Sequence, residues 1–215
     1  MKNNNIEKAL ARKELYHWLS AVLYKPEEDF FEDDFIKILA EINDILAYGL
    51  EDRIAELEHS LKEKDLNLGD LLVEYSHLFV GPASLLAPPY GSYYLDGGRV
   101  MGNSTMQVIN FYRTCRMELL GDFKDLPDHI AVEINFMSHL CDFEAQALQQ
   151  GDRDVAEALL QRQGLFLINH IVPWLHGFTK RVQSETSLSF YKIAAAILEG
   201  ALMEENKYLS GKAVG

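Results

Sequence analysis

Two Glu-x-x-His pairs, Glu56 to His59 and Glu74 to His77, are the residues of this chain whose spacing could hold a metal, since Glu-x-x-His is the inward-facing motif of carboxylate-bridged di-metal bundles. Helical phase argues against that chemistry. At about 100° per residue, Glu56 and His59 lie opposite the stripe Ile54, Leu57, Leu61, and His77 lies opposite Leu68, Leu72, Tyr75 and Phe79. Ligands of a bundle-core metal must share the apolar face. No Gly-rich phosphate loop, no Gly-x-Ser-x-Gly elbow and no cysteine in a nucleophile motif is found, and Cys115 and Cys141 read as small core residues near apolar stripes. The sequence therefore assigns no catalytic residue, no metal ligand and no resident cofactor.

The third polar constellation is Asp128-His129 with Glu133. It opens a long helix on which His129, Glu133, Phe136 and Leu140 share one shoulder beside the apolar stripe. Two readings stand side by side. In one, Asp128 caps the helix and His129 pairs with Glu133 one turn on. In the other, the three groups are polar contacts at the edge of an apolar groove. Arg116, on the apolar face of the preceding helix, is expected to form a structural pair with Glu133 if those two helices pack antiparallel.

The matching wall is the stretch from Glu74 to Tyr94. An amphipathic segment ending in Leu78-Phe79 runs into Gly81-Pro82, a strong local stop for a helix. A loop is expected from 81 to 102. It carries Leu85, Leu86, Tyr90, Tyr93 and Tyr94 around the stiff pair Pro88-Pro89, where ordinary connections are short and polar. Such a loop either folds back over the core as a lid or grips something.

These groups must be positioned by helices, because no run of alternating β-branched residues suggests a strand. Apolar periodicity predicts helices from Ile6 to Tyr24, Glu28 to Tyr48, Leu50 to Lys64 and Leu68 to Val80. Beyond the loop it predicts helices from Thr105 to Leu120, capped by Asn103 or Ser104, and from Asp128 to Gln150. Val155–Gln163 and Leu165–Ser184 read as one kinked or two successive helices, weakened by Gly164 and Pro173, and the last helix spans Leu188 to Leu209. The expectation is an all-α multi-helix bundle, one domain over residues 1–215, with candidate hinges at 121–127 or near Gly151.

Composition narrows the function classes. The chain has 215 residues, of which 48% are hydrophobic, ample for a substantial core. Its formal net charge of -13 disfavours nonspecific binding to nucleic acid or to an anionic membrane. A basic partner is easier to accommodate. Two distant cysteines without CxxC spacing, an amino terminus lacking an unbroken apolar h-region, and no stretch of about 18 apolar residues together predict a cytoplasmic protein without stable membrane insertion.

With Leu78-Phe79-x-Gly81-Pro82, Pro88-Pro89-Tyr90-x-Ser92-x-Tyr94 and Pro127-Asp128-His129-x-x-x-Glu133 in order, the chain resembles the all-helical redox-enzyme maturation chaperones of the TorD and DmsD type. Phe166-Leu167-x-x-His170-x-x-x-Trp174-x-x-Phe178 resembles the family's pattern later in the chain. The resemblance implies a cytoplasmic chaperone that binds the twin-arginine signal peptide of a molybdopterin-containing reductase, delays export and assists cofactor insertion. It implies a client-peptide site drawn from Tyr75, Leu78, Phe79, Gly81, Pro82, Pro88, Pro89, Tyr90, Ser92, Tyr94, Asp128, His129 and Glu133. It leaves open transient contact with the molybdenum cofactor or a guanine nucleotide, and both monomers and domain-swapped dimers. Leu126 departs from the pattern, since relatives commonly carry Glu before Pro-Asp-His. Two other classes compete, a helical enzyme with a small-molecule site under the 81–102 loop and a helical scaffold with a flat apolar dimer face.

Overall fold

The structure is a computed structural model that describes residues 2–63, 66–81, 85–119 and 125–212, without the side chains of 2 and 3. It is all-α. The helices are α1 (Lys2–Val22), α2 (Asp33–Leu46), α3 (Glu51–Leu61), α4 (Leu68–Tyr75), α5 (Gly91–Leu95), α6 (Asn103–Thr114), α7 (Ile130–Gln150), α8 (Arg153–Phe166), α9 (Val172–Glu185) and α10 (Ser189–Lys212). Among the described residues there is no strand, only an isolated antiparallel bridge between Tyr90 and His129.

The longest packing seam joins α1 to α7, each of 21 residues. Two side-chain-to-backbone bonds fix its antiparallel register, Ser20 Oγ donating to Ala131 O at 2.9 Å and Ser138 Oγ donating to Lys13 O at 3.0 Å. Helix α8 covers the other side of α7, and α10 packs on α9, α3 and α8. Trp18, near the end of α1, buries its ring against Phe35 and donates Nε1–H to the Phe35 carbonyl at 2.9 Å, which locks α2 onto α1.

At the centre of the bundle lies a buried ionic cluster. Arg12 on α1 is fully buried and donates to Glu205 on α10 through Nε at 2.9 Å and Nη2 at 2.8 Å. It also reaches Glu144 on α7 at 3.0 Å and Gln163 on α8 at 2.6 Å. Tyr16 donates to Glu205 at 2.7 Å, Tyr48 bonds the same carboxylate, and Gln163 donates to Glu144 at 2.9 Å. Four helices thus meet at one guanidinium. A buried charge is tolerable only when its partners replace the lost hydration, and here all three guanidinium nitrogens donate to buried acceptors.

Several boundaries differ from the periodicity reading, each for a local reason. The segment expected from Glu28 as one helix begins as a 3-10 turn, Glu28–Phe31, and restarts at Asp33. Gly164 does not interrupt α8; the irregularity falls later, in a π turn at Leu167–Ile171, after which Pro173 sits in the first turn of α9, where its missing N–H is harmless. The expected loop from 81 to 102 contains the short helix α5. Helix α6 ends at Thr114, and its N-terminus is served by Asp96, whose carboxylate accepts from the backbone N–H of Ser104 at 3.0 Å, in place of a cap from Asn103 or Ser104. The expected ends at Lys64 and Leu120, and the first residues of the hinge candidate at 121–127, lie outside the described residues.

Replacing Arg12 with Met leaves Glu205 and Glu144 buried without their counter-charge. Urea unfolding should show a loss of about 3–5 kcal/mol, whereas Glu58→Gln, which breaks an exposed pair with Lys62, should leave the urea midpoint nearly unchanged.

Candidate functional site

The segment after Gly81 is pinned by backbone bonds before any side chain matters. Ala87 N–H donates to Leu78 O at 3.0 Å, Ile130 N–H to Pro89 O at 2.8 Å, and Gly91 N–H to Asp128 O at 2.9 Å. Pro88 and Pro89 are buried, and having no N–H they leave no donor orphaned inside. Asp128 then reaches across, its Oδ2 accepting from Ser92 N–H at 2.8 Å in the first turn of α5. Ser92 in turn accepts from Met101 N–H at 3.1 Å, tying the far end of the segment to the same point.

Asp128 therefore does not cap α7. A turn closed by His129 N–H on Leu126 O, at 3.0 Å, moves the helix start on by one residue, and His129 itself is the cap, its Nδ1 accepting from Ala131 N–H at 3.1 Å. The expected local pair between His129 and Glu133 is absent for the same reason, because the imidazole is committed to the backbone. Its ring stacks on Tyr24 at 5.7 Å and meets Tyr90 edge-on at 5.4 Å. Burial holds the imidazole well below its ordinary value, at about 4, although Asp125 and Asp128 both pull the other way. At neutral pH it is uncharged.

The late aromatic motif makes the other wall. Tyr94 stacks on Trp174 at 5.4 Å and meets Phe178 edge-on, while Trp174 donates Nε1–H to His170 O at 2.6 Å. Two glycines make this approach feasible. A Cβ on Gly91 would lie 3.0 Å from Trp174 Nε1, and one on Gly177 would lie 3.3 Å from the Tyr94 ring. Arg181 closes the edge, its guanidinium 5.5 Å from the Tyr93 ring centre and donating to Leu86 O at 3.1 Å.

Glu133 is fully buried, and neither of its oxygens has a hydrogen-bond partner among the described residues; the same holds for Asp128 Oδ1 and the Tyr94 hydroxyl. Burial first, then the neighbouring Asp128, pushes the Glu133 carboxyl well above the usual carboxylate range. The expected Arg116–Glu133 pair does not form. Because α6 ends at Thr114, Arg116 stands beyond it at φ +57°, exposed, and no ion pair joins it to Glu133 among the described residues.

The structure thus separates the sequence-derived residues into two groups. Leu78, Phe79, Pro88, Pro89, Ser92, Asp128, His129 and Glu133 are buried and form the wall; Phe79, for example, packs on Tyr75 at 5.4 Å, Tyr191 at 6.0 Å and Phe178 at 6.1 Å. Tyr75, Gly81, Tyr90 and Tyr94 are half-buried, and Pro82 lies outside the described residues. Glu74, considered with His77 as a metal motif, accepts instead from Thr186 Oγ1 at 2.5 Å and Ser187 N–H at 2.6 Å, holding the α9–α10 connection, while His77 is exposed.

Two residues that the sequence reading left out come to this place, Tyr24 at the end of α1 and Asp125. Asp125 is half-exposed, and its charge acts at once on Tyr24, Tyr75, Tyr90 and His129. Burial, reinforced by Asp125, raises the Tyr24 hydroxyl to about 12 and moves those of Tyr75 and Tyr90 upward, so all three remain neutral donors. The signal was one residue away, in the Leu126 position where an acid was missed. No signal in the sequence alone could have brought Tyr24 here.

A half-exposed carboxylate thus lies within electrostatic reach of tyrosines, two of which pack on the His129 ring in front of the buried wall. Comparison with known proteins gives the class. Residues 43–180 match the family model described as "Nitrate reductase delta subunit". The chain is 26% identical over 207 residues to "Chaperone protein TorD" of Vibrio cholerae serotype O1 (strain ATCC 39541 / Classical Ogawa 395 / O395), covering 92% of this chain and 90% of that protein. It is 27% identical over 209 residues to the TorD chaperone of Vibrio vulnificus strain YJ016, covering 93% and 95%. A crystal structure of a candidate redox enzyme maturation protein from Archaeoglobus fulgidus superposes with a TM-score of 0.51 at 23% identity, covering 93% of each chain, which supports the fold. The chain belongs to the nitrate reductase delta subunit family, a family of TorD-type maturation chaperones and not of enzymes.

The His129 environment sets a pH dependence. Its folded pKa is depressed, so the unfolded chain binds the extra proton between pH 6.5 and about 4, and stability contributed by the neutral imidazole is present above pH 6.5 and lost as pH falls through that window. The loss should approach about 3 kcal/mol. His129→Asn keeps a capping acceptor but does not titrate, and urea midpoints measured from pH 7 to 4 should be flatter for this variant than for the natural chain.

Proposed function

We propose that this chain is a cytoplasmic chaperone that binds the twin-arginine signal peptide of a molybdopterin-containing reductase in its apo form, assists cofactor insertion and delays export. The relatives named TorD support the client class. Among the described residues no helix is long and apolar enough to cross a membrane, in keeping with a chaperone that acts before export. The reading gives the chain no cofactor of its own.

What carries it is the pairing of a half-exposed Asp125, within electrostatic reach of Tyr24, Tyr75 and Tyr90, with the packing of Tyr24 and Tyr90 on the His129 ring. A guanidinium offers a planar fork for a carboxylate and a flat face for aromatic rings, so this set suits arginine better than lysine. The leader's apolar segment would follow the half-buried surface of Tyr75, Tyr90 and Tyr94, with Leu78 and Phe79 behind it. Asp128 and His129 act here by holding the wall, not by touching the arginines.

The test is a titration of the protein with a synthetic twin-arginine leader and its Lys-Lys counterpart at two salt concentrations. The twin-arginine peptide should bind saturably and more tightly than the Lys-Lys peptide, and Asp125→Asn should weaken it by about tenfold. Unchanged affinity in Asp125→Asn, or equal affinity for both peptides that fades with salt, would remove arginine recognition from this place.

A further inference from the structure

A second surface lies at the other end of the same two long helices. Asn5, near the start of α1, and Leu148, near the end of α7, border a groove of about 1180 Å³ that runs along α8 to the last turn of α10. Leu148 is 18 residues along α7 from Ile130, about 27 Å from the candidate leader site at 1.5 Å per residue. The two surfaces are therefore separate.

The groove's lining has a helical signature. Arg153, Ala156, Glu157, Leu160, Gly164 and Leu165 line it from α8, spaced at three and four residues, and Ile168 continues the row from the π turn that follows. Leu209 closes the floor from α10, while Leu165 and Ile168 stand 54% and 48% exposed at the rim. An apolar stripe of that length, left uncovered, has the shape of a seat for another helix.

Charge tells which helix. On a chain of net charge -13, the rim carries Arg153 and Lys212, and neither has a carboxylate within 4.0 Å among the described residues; Glu157 is the single acid in the lining. Local charge is thus opposite to that of the whole chain and of the Asp125 site. We propose that this groove docks an amphipathic helix of a partner protein, apolar on one face and acidic along its flanks, at the same time as the leader site is filled. The proposal goes beyond leader binding and does not depend on it.

The probe is a fluorescein-labelled peptide of about 18 residues with Leu at helical i, i+3, i+4, i+7 spacing and Glu on the flanks, with a second peptide carrying Lys for Glu. The full chain should bind the Glu peptide more tightly than the Lys peptide. Leu165→Glu and Ile168→Glu, at positions already exposed and so safe for folding, should each weaken the Glu peptide by about tenfold. Arg153→Glu combined with Lys212→Glu should reverse the preference between the two peptides. All of these variants should retain the natural chain's circular dichroism and its response to the twin-arginine leader, whatever that response is. Equal binding of the two peptides, no binding of the Glu peptide, or undiminished binding by Leu165→Glu would overturn the proposal. So would a dimer in sedimentation velocity that Ile168→Glu converts to monomer, since the groove would then be filled by a second copy.

Discussion

The candidate site depends on one short antiparallel contact, in which Pro89 and Asp128 exchange backbone bonds with Ile130 and Gly91 across the Tyr90–His129 bridge. It is the only sheet-like pairing among the described residues, and it joins two segments almost forty positions apart. Asp128 serves it twice, through its carbonyl to Gly91 and its carboxylate to Ser92, so a single residue sets both the start of α5 and the approach to α7. Once that junction is made, Tyr90 meets His129 edge-on, and Asp125, just before the turn from Leu126 to His129, comes within electrostatic reach of Tyr24, Tyr75 and Tyr90.

The electrostatic arrangement follows from depth. Burial moves two groups at the junction toward their neutral forms, holding the His129 imidazole down and pushing the Glu133 carboxyl up. In the bundle centre the opposite solution is used: Arg12 keeps its charge because Glu205, Glu144 and Gln163 replace its hydration, while Tyr16 and Tyr48 donate to the Glu205 carboxylate. That cluster clamps α1 to α7, α8 and α10 midway along α1, between the candidate site at one end and the α8 groove at the other.

Much of the fold was legible because the helices are amphipathic and well punctuated. The stripe Ile130, Ile134, Met137, Cys141 gave α7 its buried face, and Gly151, at φ +84°, ended it. What local pattern could not show were effects of distance. Asp128 beside Pro127 looks like a cap, yet the turn from Leu126 to His129 hands the cap to His129 and frees the carboxylate for Ser92. Leu78, Phe79 and the proline pair stand out by type, but their burial makes them the wall and leaves contact to the tyrosines in front. Arg12 is unremarkable in sequence, because nothing near it announces partners more than 130 residues away.

In the proposed complex the arginine pair of a client leader sits at Asp125. A photo-cross-linking residue placed next to that pair in a synthetic leader, followed by mass spectrometry of the adduct, locates it. Adducts on Tyr24, Tyr75 or Tyr90, abolished by excess unlabelled leader, are the expected result. Adducts confined to α8 or α10, competed by the same leader, would overturn this placement.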